Sequence, residues 1–192
     1  MWNGQTNPLK MKTSIVLVML LVTFATSFSQ SVKKVYVCTP CGYECDLKEY
    51  NSPGTCNSCG MAYVEKSTVD FDNITFAEMC DRVKKNKDIL LLDVRSPGEF
   101  TGETSMSSFG HFKDAININV SELPARLVEL EAYKNKEIIV YCSHSHRSPR
   151  ATYLMKTNGF KNVSNVSGGV SILEREFGNN ECISKLFVSH VK

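Results

Sequence analysis

The chain has 192 residues, 42% of them hydrophobic and 22% charged, the proportions of a soluble globular protein with room for one or two small domains. Lys+Arg number 22 against 20 for Asp+Glu, so a net charge of +2 supplies no broad basic surface for a phosphate backbone, and nucleic acid is not an expected partner. Eight cysteines are more than a cytosolic enzyme of this size needs and too unevenly spread for a disulfide framework, since five fall between Cys38 and Cys59.

In chain order, residues 1–29 read as a signal peptide. Lys12 precedes the apolar run Ile15–Val22, the small residues Ser27 and Ser29 follow it, and cleavage is expected after Ser29. The run is well short of the ~20 residues that span a bilayer, so no stable membrane span is expected after leader removal. A buried helix is the alternative, but Lys10, Lys12 and the polar stretch that follows favour a leader, and with it export to a periplasm or the medium.

Residues 34–66 form the next unit. Cys38-Thr39-Pro40-Cys41 and Cys56-Asn57-Ser58-Cys59 are two C-x-x-C pairs separated by 14 residues. Each pair brings two thiolates within reach of one ion, and Cys38, Cys41, Cys56 and Cys59 together offer four sulfurs to a tetrahedral zinc or another thiophilic metal. Gly42 and Gly60 suit the tight knuckle turns. So short a module buries too little apolar surface to fold unaided and needs a staple. The alternative staple is a pair of disulfides, although cysteines within one C-x-x-C pair poorly as structural disulfides. The segment resembles the short heavy-metal-binding modules of bacteria through Tyr36, Cys38, Pro53, Gly54, Cys56, Cys59, Gly60 and Met61. It departs from them in Cys41 at or near a histidine position, in Asn57 for a proline, and in an additional Cys45 that either replaces Cys41 as a ligand or stays a free thiol.

A domain is expected over residues 72–178, with 179–192 as a tail. Thr75 heads a helix through Lys85 whose Phe76, Met79, Cys80 and Val83 share one face, so Cys80 reads as core. Ile89–Leu92, ending at Asp93, and Glu137–Tyr141, ending at Cys142, are runs typical of strands covered on both faces. Between them lie a short strand over residues 115–118 and a helical stretch over 121–133. This alternation predicts an α/β fold with a parallel sheet, whose ligand sites lie at the carboxyl ends of the strands, where Asp93 and Cys142 fall.

The chemistry is concentrated in Cys142-Ser143-His144-Ser145-His146-Arg147-Ser148-Pro149. A helix is expected over Arg150 to Lys156, with Ser148 as its N-cap, Pro149 in its first turn and Gly159 beyond its end. Loop amides, the positive end of the helix dipole and Arg147 would then surround Cys142 and favour its thiolate, the nucleophilic form. An inert core cysteine at a strand end is the alternative.

These residues resemble a single-domain rhodanese. The matches are Leu91 to Phe100, Gly110 to Asn117, Val140-Tyr141-Cys142 with Arg147-Ser148, Asn158 to Val163, and Gly168-Gly169. The resemblance implies a rhodanese-like parallel sheet flanked by helices, preceded here by the metal-stapled ribbon. It also implies a sulfurtransferase in which Cys142 takes a sulfane sulfur from a small-molecule or protein donor, such as thiosulfate or a persulfide, and passes it to a thiol or cyanide acceptor without a cofactor. Arg147 would orient the anionic donor, and Ser143, His144, Ser145, His146 and Ser148 would line the substrate site. The family's loop is Cys-Arg-x-Gly-x-Arg, so Ser143 and Ser145 are departures, and the segment Thr101 to Phe109 is longer than usual. Four residues separate Cys142 from Arg147, where a related phosphatase family has five, and the tighter ring favours a single sulfur over a tetrahedral oxyanion. Asp93 and Arg95 are expected to brace the strand end as a salt bridge, and His111 to serve as a hydrogen-bonded scaffold. His144 and His146 raise the positive potential near Cys142, help position a donor, or face solvent. Cys182 either pairs with Cys80 or stays free. The competing reading is a metal-binding or redox-sensing protein in which this domain is a non-catalytic interaction module.

Overall fold

A computed structural model describes residues 1, 3, 4, 33–104, 109–177 and 180–190. The predicted leader run and its cleavage site lie outside the described residues. Among those described, no helix is long and apolar enough to cross a membrane.

The cysteine segment is a three-stranded antiparallel ribbon with β1 (Tyr36–Cys38) between β2 (Glu49–Tyr50) and β3 (Tyr63–Glu65). Tyr50 and Tyr63 stack at 3.8 Å. Strands this short present little apolar surface, and the buried centre is made of Cys38, Cys41, Cys45 and Cys56 instead. So small an apolar centre leaves the cysteine cluster as the main candidate staple of the ribbon.

A single 3-10 turn, Lys66–Thr68, leads from the ribbon into the larger domain. Its first elements are β4 (Asp72–Ile74), α1 (Phe76–Lys85), β5 (Leu90–Asp93) and α2 (Pro97–Thr101). They are followed by β6 (Gly110–Phe112), β7 (Ile116–Asn117), α3 (Leu123–Arg126) and β8 (Glu137–Tyr141). The last are α4 (Ser148–Thr157), β9 (Asn162–Val166), α5 (Leu173–Phe177), α6 (Glu181–Leu186) and β10 (Phe187–Ser189). Thr75 caps α1 through a reciprocal box with Glu78, as its position before the apolar stripe predicts.

Five strands form one parallel sheet in the order β4-β9-β8-β5-β7. Successive side chains on β5 and β8 enter opposite cores: Leu91, Ile139 and Tyr141 join Phe76 and Met79, whereas Leu90, Leu92, Ile138 and Val140 join Ala151, Met155 and Phe160. Burial on both faces is why these strands read as unbroken apolar runs. Asp93 pairs with Tyr141 in the β5–β8 register, so the carboxyl ends of the two central strands lie side by side.

The helical stretch expected over 121–133 is present as a short α3 followed by a 3-10 helix, Leu127–Tyr133. Only Leu123 and Leu130 in it are fully buried, which leaves few anchors for one continuous α-helix. Two expectations are corrected. Helix α4 begins at Ser148, with Arg147 in the cap position, so Ser148 is its first residue and not its cap. The segment 179–192 is more than a tail: β10 pairs antiparallel with β6, Ile183 enters the core, and Cys182 forms a disulfide with Cys80 on α1. The domain thus extends past residue 178, held by partners far away in sequence.

Candidate active site and metal centre

The sulfurs of Cys38, Cys41, Cys45 and Cys59 lie within 4.8 Å of one another. A 3-10 turn, Glu44–Leu47, carries Cys45 back onto Cys41, at 3.4 Å between sulfurs, and Cys38 meets Cys59 at 3.1 Å. Asp46 in the same turn accepts the amides of Cys41 and Gly42 at 2.8 and 2.7 Å, which closes the first knuckle. The second knuckle closes through the Gly60 amide on the Cys56 carbonyl and the Cys56 amide on the Met61 carbonyl, both at 2.8 Å. This four-sulfur group differs from the expected one, with Cys45 in place of Cys56. Cys56 is nevertheless buried in the same cluster, and the backbone amides of Cys59 and then Ser58 hold its thiol down to about 6. Burial pushes the Cys38 and Cys41 thiols up, Cys38 further through its contact with Cys59 and Cys41 through Asp46. An all-sulfur donor set of this spacing fits a tetrahedral thiophilic ion, whose ligands at ~2.3 Å lie ~3.8 Å apart. The cluster could bind such a metal, with five sulfurs available for four positions.

In the larger domain, Asp93 at the end of β5 holds Arg95 through several hydrogen bonds, the shortest 2.6 Å, and both side chains are 0% exposed. Arg95 also donates to the Gly110 carbonyl at 2.6 Å, which ties β6 to the strand end. Cys142 follows β8 directly, at 1% exposure, and the Ser148 hydroxyl donates to its sulfur at 3.3 Å. The loop leaves Cys142 and returns to α4, and the Val170 and Ser171 amides grip the Cys142 and Ser143 carbonyls at 2.9 Å each. Gly169 makes this approach possible, because a Cβ there would stand 2.3 Å from the Ser143 oxygen. Arg147 forms a bidentate pair with Glu99 of α2, both bonds 2.7 Å, and donates to the Ser143 hydroxyl at 2.9 Å. Ser143 in turn donates to Glu99 at 3.0 Å. Burial would raise the Glu99 carboxyl, but Arg147 and the cap of Ser96 outweigh it and hold the group down to about 2.

This geometry accompanies a family match: a rhodanese-like domain model covers residues 75–175, more than half of the chain. The chain belongs to the rhodanese-like domain family. Among curated relatives, the tRNA uridine(34) hydroxylase of Buchnera aphidicola subsp. Baizongia pistaciae (strain Bp) is 36% identical over 98 residues, 49% of this chain and 29% of that protein. The protein of the same name from Photorhabdus laumondii is 34% identical over 98 residues, 49% of this chain and 26% of its own length. The chain thus spans less than a third of the length of these relatives. A Saccharomyces cerevisiae structure, described as a homolog of single-domain rhodanese and of a phosphatase catalytic domain, matches at a TM-score of 0.50 and 18% identity. It covers 65% of this chain and 91% of that one, a likeness of fold.

The rhodanese-like loop brings Cys142, Ser143, Arg147 and Ser148 together. His144 lies edge-on to Phe109 at 5.7 Å. His146 is stacked on Tyr43 of the ribbon at 4.0 Å, and Ser145 sits at the loop crest with φ 58°. His111 lies away from Cys142's immediate partners, packed on Phe100 and His190, where burial lowers its pKa. Two residues of the site escape sequence reasoning. Glu99 lies inside the matched stretch Leu91 to Phe100, yet its link to Arg147 spans 48 positions and only the fold reveals it. Tyr43 carries no local signal at all.

Proposed function

We propose that the protein is an exported sulfurtransferase that moves a sulfane sulfur through a Cys142 persulfide. The observation that carries this reading is the seat of Cys142, a thiol at the end of a central strand, inside a short loop that opens onto a helix N-terminus and with a hydroxyl donating to its sulfur. With thiosulfate, the Cys142 thiolate attacks the outer sulfur, the donor S–S bond breaks, and sulfite leaves with the electron pair. A thiolate acceptor then attacks the outer sulfur of the persulfide, forms a new S–S bond and releases Cys142 as thiolate. The charge stays on sulfur throughout, so no general base is needed, and the double displacement has ping-pong kinetics. The near-complete burial of Cys142 favours a donor with a slim, single-sulfur end. Arg147 and Ser143, fixed by Glu99, hold the loop to its size.

Export is supported by the leader pattern ahead of Ser29 and by the Cys80–Cys182 disulfide, since such bonds persist in oxidising compartments. The ribbon is proposed to hold zinc or another thiophilic ion through four of its sulfurs. The tRNA chemistry in the relatives' names belongs to much longer proteins, of which this chain spans less than a third.

The test is incubation of the purified protein with thiosulfate, followed by peptide mass analysis. A gain of about 32 Da, one sulfur atom, confined to Cys142 and discharged by cyanide or a thiol is the expected outcome. Absence of that adduct with thiosulfate and with a persulfide donor, together with a Cys142→Ser protein that behaves as wild type, would leave the domain as an interaction module on a metal-binding protein.

A further inference from the structure

The ribbon's first knuckle is packed directly on the Cys142 loop. Gly42, with φ 73°, lies so close to the loop crest that a Cβ would fall 1.9 Å from the Ser145 carbonyl oxygen and 3.2 Å from the His146 Cα. The next residue, Tyr43, lays its ring flat on the His146 imidazole, with centroids 4.0 Å apart and planes 7° from parallel. Tyr43 stays 54% exposed in the described residues, so the stack is not a by-product of burying the ring.

The loop needs such a brace. Ser145 adopts a left-handed conformation that favours glycine, the residue the family pattern carries there, and a non-glycine residue holds it only when its surroundings compel it. Inside the domain, the Ser145 hydroxyl donates to the Val166 carbonyl at 3.3 Å and accepts from the Asn165 amide at 3.1 Å. Outside, the crest meets Gly42 and Tyr43. Residues 145 and 146 are therefore clamped between β9 and the ribbon, one step before Arg147 and its tie to Glu99.

We propose that Tyr43 is a positioning residue for the Cys142 loop, acting through His146, so that the ribbon is a working part of the sulfurtransferase centre. Tyr43 touches no reacting atom; its ring fixes His146, and with it the backbone between Cys142 and Arg147. The proposal rests on the sulfurtransferase reading above and assigns to the ribbon a role beyond binding metal.

The experiment compares full-length wild type with Tyr43→Ala, Tyr43→Phe, His146→Ala and the double variant Tyr43→Ala/His146→Ala, each first matched for bound zinc and thermal unfolding. Two rates are read: thiosulfate turnover, resolved into kcat and KM, and alkylation of Cys142 by iodoacetamide. Tyr43→Ala is expected to lower kcat on the order of tenfold with KM little changed, since a small misplacement of a reacting loop acts on the chemical step. Tyr43→Phe, which keeps the ring, restores kcat, and the double variant is no slower than the slower single one. Unchanged kcat in Tyr43→Ala, a Phe variant as slow as the Ala variant, or additive losses in the double variant would overturn the proposal. If wild type takes no sulfur from any sulfane donor, the sulfurtransferase reading fails by itself. The alkylation rates then still decide the coupling, which stands if Tyr43→Ala differs from wild type and Tyr43→Phe does not, and falls otherwise.

Discussion

At the residue scale, Glu99 is the side chain on which the loop's shape depends. Its two oxygens take both Arg147 nitrogens and the Ser143 hydroxyl, and Ser96 closes the α2 cap on the same carboxylate, so one group binds three residues of the site. Arg147 is thereby committed to Glu99 in this structure, which makes it a brace of the loop. The folded carboxyl lies below its ordinary value, so the interaction stabilises the protein fully above the unfolded value of about 4.3 and is lost as pH falls from there through about 2. Glu99→Gln keeps the shape and removes the charge. It is expected to lower stability at neutral pH on the order of 2 kcal/mol, screened by the partly open Arg147, and to flatten the loss of stability between about pH 4.3 and 2. Urea unfolding at about pH 7 and across that range checks both effects, and a variant with the wild-type stability and pH slope would show that the pair contributes nothing.

At the element scale, α6 and β10 show where sequence reasoning stops. The central strands were legible because burial on both faces writes itself as Leu90-Leu91-Leu92 and Ile138-Ile139-Val140, and α1 because Thr75 and Glu78 form a local capping signal. Cys142 and its helix were legible for the same reason, as a strand end, a short loop and a proline-opened first turn follow one another in the chain. The last residues hold no such pattern: β10 has three residues, and its partner β6 lies more than seventy positions earlier. Cys182 stands 102 positions from Cys80, and although their pairing is one of the two alternatives the sequence leaves open, nothing local in it chooses between them. That bond closes a long loop, so its loss is expected to cost about 2–5 kcal/mol and to free β10 from β6. Hydrogen exchange of the Lys113 and His190 amides, which donate to the Leu186 and Phe109 carbonyls across this pairing, in Cys80→Ala/Cys182→Ala, beside urea unfolding, separates the two consequences. Unchanged protection with lower stability would mean that the disulfide acts on the unfolded chain alone.

At the scale of the whole molecule, a ribbon too small to fold on its own is joined to a domain with cores on both faces of its sheet, and the joint runs through a turn, a hydrogen bond between Thr68 and Tyr153 at 3.0 Å, and the knuckle on the Cys142 loop. The stability of the two parts has different sources: the domain rests on buried apolar surface, two-sided strands and a disulfide, whereas the ribbon rests on its sulfurs. A chelator is therefore expected to unfold the ribbon and leave the sheet folded, read as loss of amide protection confined to the ribbon strands while the sheet keeps a cooperative thermal transition. Which sulfurs would hold a thiophilic ion follows from the geometry. Cys45 joins the four-sulfur group through its turn onto Cys41, and Cys56 stands beside it, so Cys45→Ser is expected to lower zinc affinity as steeply as Cys38→Ser, with Cys56→Ser affected least. Competition for zinc against a chromophoric chelator ranks the three variants. The opposite ranking, in which Cys56→Ser abolishes binding and Cys45→Ser retains it, would restore the paired C-x-x-C ligand set and make Cys45 the spare thiol beside it.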